Sequence, residues 1–301
     1  MLSKLGKTTV VVAMVRILIS GLLVYDSGKT WVGITLAKKF IEYGAKVGIF
    51  KPIAGHNAWS QFLAVVESLS RGLLVGEDIV RYANTVKDLD LAVSNPIDIL
   101  LAPLDPQGYL TANIYSYLAD LEDQFKQMVL ARVSRCSDKF TQHFVFPRNL
   151  SRVAYPLRSR IEDLAVKLNA TAYNVDEFVK LLKRPDIEEE LIRCLEIVEK
   201  ERNIVLIESF NNAITPFRKI LDRVDLMIIV TPTRVFVYED IKEVAKTLDE
   251  TVVFYGERGF EAVHILSKVK PSISTYIKPR LSVDENDEYL DEIAKHIISI
   301  K

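Results

Sequence analysis

The side chains best suited to chemistry on a phosphate are a lysine, a threonine hydroxyl, two carboxylates and a second lysine, most of them at the end of an apolar run. Gly28-Lys29-Thr30 follows the apolar run 15–19 and a loop, Ser20-Gly21-Leu22-Leu23-Val24-Tyr25-Asp26-Ser27. It opens a segment, 31–43, whose Val32, Leu36 and Phe40 have helical spacing. In a strand–loop–helix, backbone N–H groups at the helix N-terminus face an anion. Lys29 then reaches the terminal phosphates, and the Thr30 hydroxyl is placed to ligate Mg²⁺. Tyr25, Asp26, Ser27 and Gly28 are the other residues expected around the phosphates. Glu208 ends the apolar run 203–207, where a carboxylate beside such a loop can hold Mg²⁺ directly or through water. Asp78 lies in the first turn of a helix expected from Gly76. Acids favour that position for dipole reasons alone. Lys51 ends the run 45–50 and would add positive charge where phosphoryl transfer needs it. His56 and Ser209 stand close to these two strand ends and are candidates for touching substrate. A loop histidine is equally at home as a surface residue.

Positioning such groups requires a scaffold. Runs at 15–19, 45–50, 203–207 and 224–230 are almost continuously apolar, and helical segments separate them. That pattern predicts an α/β protein, a mainly parallel sheet with helices on both faces. Strands are also expected at 251–255 and helices at 235–248 and 284–300. The segment 51–57 is expected to lie at a strand's carboxyl end, where open α/β sheets bind ligands. Residues 128–133 and 140–146 alternate and are rich in β-formers, so a strand pair is expected near 126–147. It belongs to an insertion at about 126–175 in a single domain spanning 14–301. Residues 1–13 read as an extension, with Met14 a possible alternative start. A second Gly-Lys-Thr, at 6–8, has no strand before it.

At 301 residues and 49% hydrophobic composition, the chain can bury a large core. A net charge of −1 gives no global electrostatic case for nucleic acid. The stretch 132–160 is nonetheless basic: Arg132, Arg135, Lys139, Arg148, Arg152, Arg158 and Arg160 are answered within it only by Asp138. Three readings stay open, in this order: a solvated face paired with the acidic helix at 187–201, a substrate-anion site, and a nucleic-acid or partner surface with interleaved aromatics. Cys136 and Cys194 are far apart in sequence and lack metal-ligand spacing, which fits a reducing cytoplasm without a disulfide framework. No run is long enough to span a membrane.

Four segments, in order, resemble one family. They are Gly28-Lys29-Thr30, with Leu23 where the usual first glycine stands; Lys51-Pro52-Ile53-Ala54-Gly55; Ser94-Asn95-Pro96-Ile97 with Ala102-Pro103; and Val205-Leu206-Ile207-Glu208 followed by Thr215-Pro216. Together they are similar to the P-loop enzymes that include dethiobiotin synthetase and the cobyrinic acid amide synthases, over roughly 15–110 and 200–250. The resemblance implies ATP and Mg²⁺ as cofactors, Lys29 on the phosphates, and Thr30, Asp78 and Glu208 on the metal. It implies Lys51 facing the substrate and the transferred phosphoryl group. The implied reaction activates a small carboxylate or carbamate with the γ-phosphate before ligation or cyclisation, in a homodimer with its active site near the interface. Two departures mark the chain. Ser209-Phe210-Asn211-Asn212 replaces a glycine-rich segment, so the substrate does not carry over. The position after Leu23 is Val24, not the signature lysine of the partition-type relatives. An Asn-Lys-x-Asp guanine motif is missing after the late strands, which points to ATP without excluding GTP. The rival expectations are a nucleotide-driven switch or chaperone without ligase chemistry, and a nucleic-acid-linked ATPase.

Overall fold

A strand with apolar side chains on both faces is stable only where both faces are covered, and the early apolar runs are used in that way. The computed structural model of the protein describes residues 14–111, 113–279 and 286–300. The strands, in chain order, are β1 (Val15–Gly21), β2 (Val47–Phe50), β3 (Ile53–Asn57), β4 (Ile97–Leu101), β5 (Met128–Arg135), β6 (Phe140–Val145), β7 (Thr171–Ala172), β8 (Ile204–Glu208), β9 (Leu226–Thr231), β10 (Arg234–Tyr238) and β11 (Ile273–Tyr276). The helices are α1 (Lys29–Glu42), α2 (Phe62–Arg71), α3 (Glu77–Thr85), α4 (Leu91–Ser94), α5 (Gln107–Leu110), α6 (Ile114–Glu122), α7 (Gln124–Gln127), α8 (Pro147–Leu150), α9 (Tyr155–Lys167), α10 (Val175–Leu182), α11 (Pro185–Glu199), α12 (Ile241–Tyr255), α13 (Ala262–Lys268) and α14 (Glu288–Ser299).

The protein is α/β, but in place of one mainly parallel sheet it forms two mixed ones. The first has the order β11-β10-β9-β1-β8-β2, with β9, β1, β8 and β2 parallel and β10 and β11 antiparallel at one edge. The second has the order β3-β4-β5-β6-β7. The strand pair expected near 126–147 is the antiparallel β5/β6, and it forms the middle of that second sheet.

Alternate residues of each central strand serve opposite faces. Ile17, Ile19, Ile204, Leu206, Ile228 and Val230 pack with α1, α3 and α14, whereas Leu18, Val205, Ile207, Met227 and Ile229 pack with α11–α13. That second core also contains Ile97, Ala131, Val133 and Phe144, so the two sheets share it. The far face of the second sheet is covered by α2 and α9, through Val65, Leu157, Ile161 and Leu164.

Several expectations are corrected. Residues 251–255 form the last turn of α12, not a strand. Thr251 is buried there and its hydroxyl donates to Leu248 and Gly259 carbonyls, while Val253 and Phe254 are exposed. Helical context overrides the β-propensity of that run. The helix expected from 235 begins only at Ile241. Before it, Val235 and Val237 are buried in alternation on β10, returning from β9 through a turn with Thr233 at φ 70°. Within 51–57, residues 53–57 are strand β3, not loop. Apolar residues expected to be exposed on the inserted strands, where a dimer partner could cover them, are mostly buried: on β5 only Arg135 is exposed. Cys136 and Cys194, expected as unlinked thiols, form a disulfide that ties the end of β5 to α11. Their sequence separation of 58 hid a pairing that only the folded chain creates. Residues 1–13, with the second Gly-Lys-Thr, and the start expected for the last helix at 284 lie outside the described residues. Among the described residues no helix is long and apolar enough to cross a membrane.

Candidate active site

Three adjacent parallel strands deliver the expected residues to one edge of the first sheet. β1 ends at Gly21 and enters the 22–27 loop; β8 ends at Glu208; β2 ends one residue before Lys51. In the ladder Phe50 is opposite Ile207, so Lys51 emerges opposite Glu208. Asp78 arrives from α3, which packs against α1.

The 22–27 loop carries more residues than the expected pattern, and it accommodates them by bulging. Residues 23–26 are exposed, while Gly21 and Ser27 are buried at its neck. A Cβ on Gly21 would stand 2.2 Å from Ser27 Oγ, so this neck closes only on a glycine. Gly28 caps α1 in the left-handed region. Lys29 Nζ lies 3.4 Å from Ser27 Oγ and donates to the Asn211 carbonyl at 2.7 Å. Burial pushes the Lys29 ammonium below its ordinary range, against the opposing pull of Glu208.

Glu208 is the centre of the site and is almost fully buried. Its Oε1 accepts from Thr30 Oγ1 at 3.1 Å and from Lys51 Nζ at 2.6 Å; its Oε2 accepts from Tyr82 OH at 2.7 Å. Lys51 Nζ also donates to Asp78 Oδ2 at 2.5 Å. Burial alone would push the Lys51 ammonium down, but the attraction of Asp78 and Glu208 outweighs it and holds the group above the usual lysine range. Asp78 would likewise rise on burial. Its pairing with Lys51 and a hydrogen bond with Thr30 bring it below the usual carboxylate range instead.

The geometry thus gathers Lys29, Thr30, Lys51, Asp78 and Glu208. Ser209 is next to them, buried, with its Oγ unpartnered. Tyr25 and Asp26 are on the exposed bulge, and Tyr25 OH accepts from Gln124 Nε2 at 3.0 Å. His56 does not join the cluster: it is on β3, and its Nδ1 meets Asp98 Oδ1 at 3.0 Å.

Sequence reasoning missed Tyr82, Gln124 and the anchoring role of Asn95. Tyr82 lies four residues after Asp78, on the same face of α3, and that spacing was its signal. It reaches Glu208 across α1 because residue 33 is glycine; a Cβ there would come within 1.8 Å of Tyr82 OH. Burial and the neighbouring Glu208 raise the Tyr82 phenol well above its usual range, so it stays a donor. Asn95 Nδ2 donates to the Lys51 carbonyl at 2.8 Å, and Lys51 N donates to the Ser94 carbonyl at 2.7 Å. Both sides of the Lys51 backbone are therefore held.

Could these residues hold a divalent cation? The set is two carboxylates and one hydroxyl, all hard oxygen donors. Mg²⁺ is usually held by one or two carboxylates, substrate phosphates and retained waters, so the donor set fits it. Among the described residues no group of three or more His, Cys, Asp or Glu side chains is arranged to hold a metal by itself.

The basic stretch divides into separate roles. Arg132 is fully buried and donates to Asn95 O and, at 3.0 Å, to Asn95 Oδ1; burial pushes it down to about 10. Arg135 pairs with Asp138, Arg152 with Asp120, and Arg158 with Glu162. The acids of α11 pair elsewhere, with Arg16, Arg193, Lys219 and Arg223. The expected charge pairing of the basic stretch with that helix is therefore corrected: Arg135, Arg152 and Arg158 pair with acids outside it and Arg132 with Asn95, while the backbone N–H groups of Cys136 and Ser137 donate to Glu190 of α11.

In the second sheet Asp98, Arg132 and His143 stand in register across β4, β5 and β6. His143 Nε2 accepts from Leu74 N at 3.3 Å, which requires the neutral ring. Burial, then the charge of Arg132, push His143 down to about 4, against the opposing pull of Asp98. A histidine depressed in the folded state binds its proton more weakly there than in the unfolded chain. Stability should therefore fall as pH drops from about 6.5, the unfolded value, towards 4. The loss reaches about 3 kcal/mol, at ~1.4 kcal/mol per tenfold change in proton affinity. Urea unfolding of wild type and His143→Gln across that window checks this. The glutamine keeps an acceptor for Leu74 N and should flatten the slope.

Comparison with known proteins gives no match: no protein-family model, no curated protein and no solved structure is similar to the chain. The functional reading therefore rests on the residues themselves.

Proposed function

We propose that the protein is a Mg²⁺-dependent P-loop enzyme, similar in kind to dethiobiotin synthetase, that transfers the γ-phosphoryl of ATP to a small carboxylate or carbamate. The observation that carries this reading is the convergence of Thr30, Asp78, Glu208 and Lys51 on one strand edge beside Lys29. In this reading Lys29 leaves the Asn211 carbonyl for the β- and γ-phosphates. Thr30, Asp78 and Glu208 would hold the cation, which would supply positive charge to neutralise the charge developing on the phosphate oxygens. Lys51 orients the acceptor and stabilises the equatorial oxygens of the transferring group. Tyr82 keeps Glu208 in the rotamer that faces Thr30. Phe210, Asn211 and Asn212 form a bulkier wall than glycines would, which narrows the substrate space.

One observation favours a second reading, a nucleotide-driven switch. Gln124 bridges the Tyr25 bulge and Asn211, whose Nδ2 donates to Gln124 Oε1 at 3.3 Å. Lys29 leaving Asn211 would be felt at Gln124, next to α6, a helix with no buried residue. A thermal-shift screen with ATP, GTP and Mg²⁺, followed by turnover with and without small carboxylates, separates the readings. Specific binding raises apparent stability by mass action. The enzyme reading expects ATP turnover to accelerate with an acid acceptor. Turnover indifferent to every acid would favour the switch, and no stabilisation by any triphosphate would remove both.

A further inference from the structure

We propose that the Lys51 ammonium is a built-in counter-ion, occupying between Asp78 and Glu208 the place of the divalent cation, so that the two exclude each other. This inference rests on reading Thr30, Asp78 and Glu208 as the cation-binding oxygens. Three observations carry it. Lys51 Nζ lies 2.5 Å from Asp78 Oδ2 and 2.6 Å from Glu208 Oε1, so one ammonium bridges both carboxylates. It does so with a side chain only 6% exposed, leaving little water to screen a second positive charge. Finally, Lys51 is held at its N–H by Ser94 and at its carbonyl by Asn95. An exchange therefore moves the side chain and not the strand.

The charges support the exclusion. Two carboxylates and one ammonium leave this group, buried at Lys51 and Glu208 and partly exposed at Asp78, at −1, and Lys29 nearby brings it to neutrality. A dication added with Lys51 still in place would make the site strongly positive in a low-dielectric setting, which buried charges tolerate poorly. A triphosphate tips the exchange because it brings its own negative charge for both cations. The divalent ion takes the carboxylates, and the freed ammonium turns to the phosphoryl and acceptor oxygens. The metal-free chain is thereby kept from binding bare cations, and Lys51 is released to substrate only when the nucleotide is loaded.

The test is a titration of the nucleotide-free protein with Mn²⁺, a paramagnetic stand-in for Mg²⁺, with free Mn²⁺ read by electron paramagnetic resonance. Wild type should bind weakly. Lys51→Met, which keeps the stem and loses the charge, should bind one Mn²⁺ per chain at least tenfold tighter. Lys51→Arg should stay as weak as wild type, and Lys51→Met combined with Glu208→Gln should lose the gain. If Lys51→Met binds no tighter than wild type, or the gain survives Glu208→Gln, the proposal is overturned. Should Lys51→Met fail to fold, wild type decides. Nucleotide-free Mn²⁺ binding as tight as that measured with a non-hydrolysable triphosphate analogue overturns the exchange, and at least tenfold weaker binding supports it. Triphosphate affinity is measured separately. A chain that binds no triphosphate yet shows the Lys51→Met gain would refute the phosphoryl-transfer reading and leave the cation exclusion standing.

Discussion

Lys29→Ala is expected to lower affinity for ATP about 100-fold or more and to bring turnover to background. A hydrogen bond to a charged group is worth about 1.5–3 kcal/mol, and 3 kcal/mol is about two decades of affinity at ~1.4 kcal/mol each. A lysine bridging two phosphates makes at least one such contact in the ground state and adds to it as charge develops. The same substitution should leave the fold intact. Burial outweighs the attractions around this ammonium, so its charge is held at a cost to the folded state. Removing it loses the hydrogen bond to Asn211 and relieves that burial, and the two changes oppose each other. Calorimetric titration with ATP, beside thermal unfolding of the same samples, checks both halves. Wild-type turnover in the purified variant would refute the placement of the phosphates. An unfolded variant would refute the account of the lysine's burial.

Glu208→Gln is expected to separate metal dependence from nucleotide binding. Both oxygens of Glu208 accept: Oε1 from Thr30 and Lys51, Oε2 from Tyr82. An amide of the same shape can accept at one end only, so its NH₂ must face either the Lys51 ammonium or the Tyr82 hydroxyl. The Lys51 ammonium then keeps Asp78 as its one charged partner among these two carboxylates. Breaking one partner of a buried ion pair typically costs 3–5 kcal/mol; since Asp78 remains, the lower end, about 3 kcal/mol of stability, is the expectation. Turnover should fall about 100-fold or more and lose its dependence on Mg²⁺ concentration. ATP affinity measured without Mg²⁺ should change by less than about tenfold, because Lys29 and the loop are untouched. A variant that keeps the wild-type Mg²⁺ response would remove Glu208 from the metal site. Tyr82→Phe tests the same carboxylate more gently, by freeing one oxygen without changing charge.

The parts of this site that could be read in the sequence are those fixed by short-range chemistry. Apolar runs ending in Lys51 and Glu208 announced strands with functional ends, and the Gly28-Lys29-Thr30 helix start announced the loop. The parallel pairing of β2 with β8 then placed Lys51 against Glu208 without further information. What stayed hidden depended on contacts between distant segments. The second sheet needs β3 to leave the first sheet after Pro52, which no local pattern reveals. His56 looked like a loop residue for that reason and is a buried strand residue facing Asp98. The strand β10 and the last turn of α12 were misread because β-branched residues occur in both settings, and burial against neighbours decides between them. Arg132 looked like one of seven surface charges and is instead the buried support of Asn95. The bridge from Gln124 to Tyr25 and Asn211 joins the first residue of the short helix α7 to two loops, and loops carry little signal beyond their turn residues.

The passage of the chain from one sheet to the other at Lys51-Pro52 has a wider meaning. On the proposed reading, β1, its loop, α1 and the end of β8 would serve the phosphates, whose shape never varies. The chain immediately after the dipeptide enters β3 and its neighbours, where Asn95, Asp98 and Arg132 stand. A lineage of such proteins could therefore rework its choice of acceptor by mutating one sheet while leaving the energy-coupling machinery untouched. Lys51 is a residue at which the two histories would have to agree.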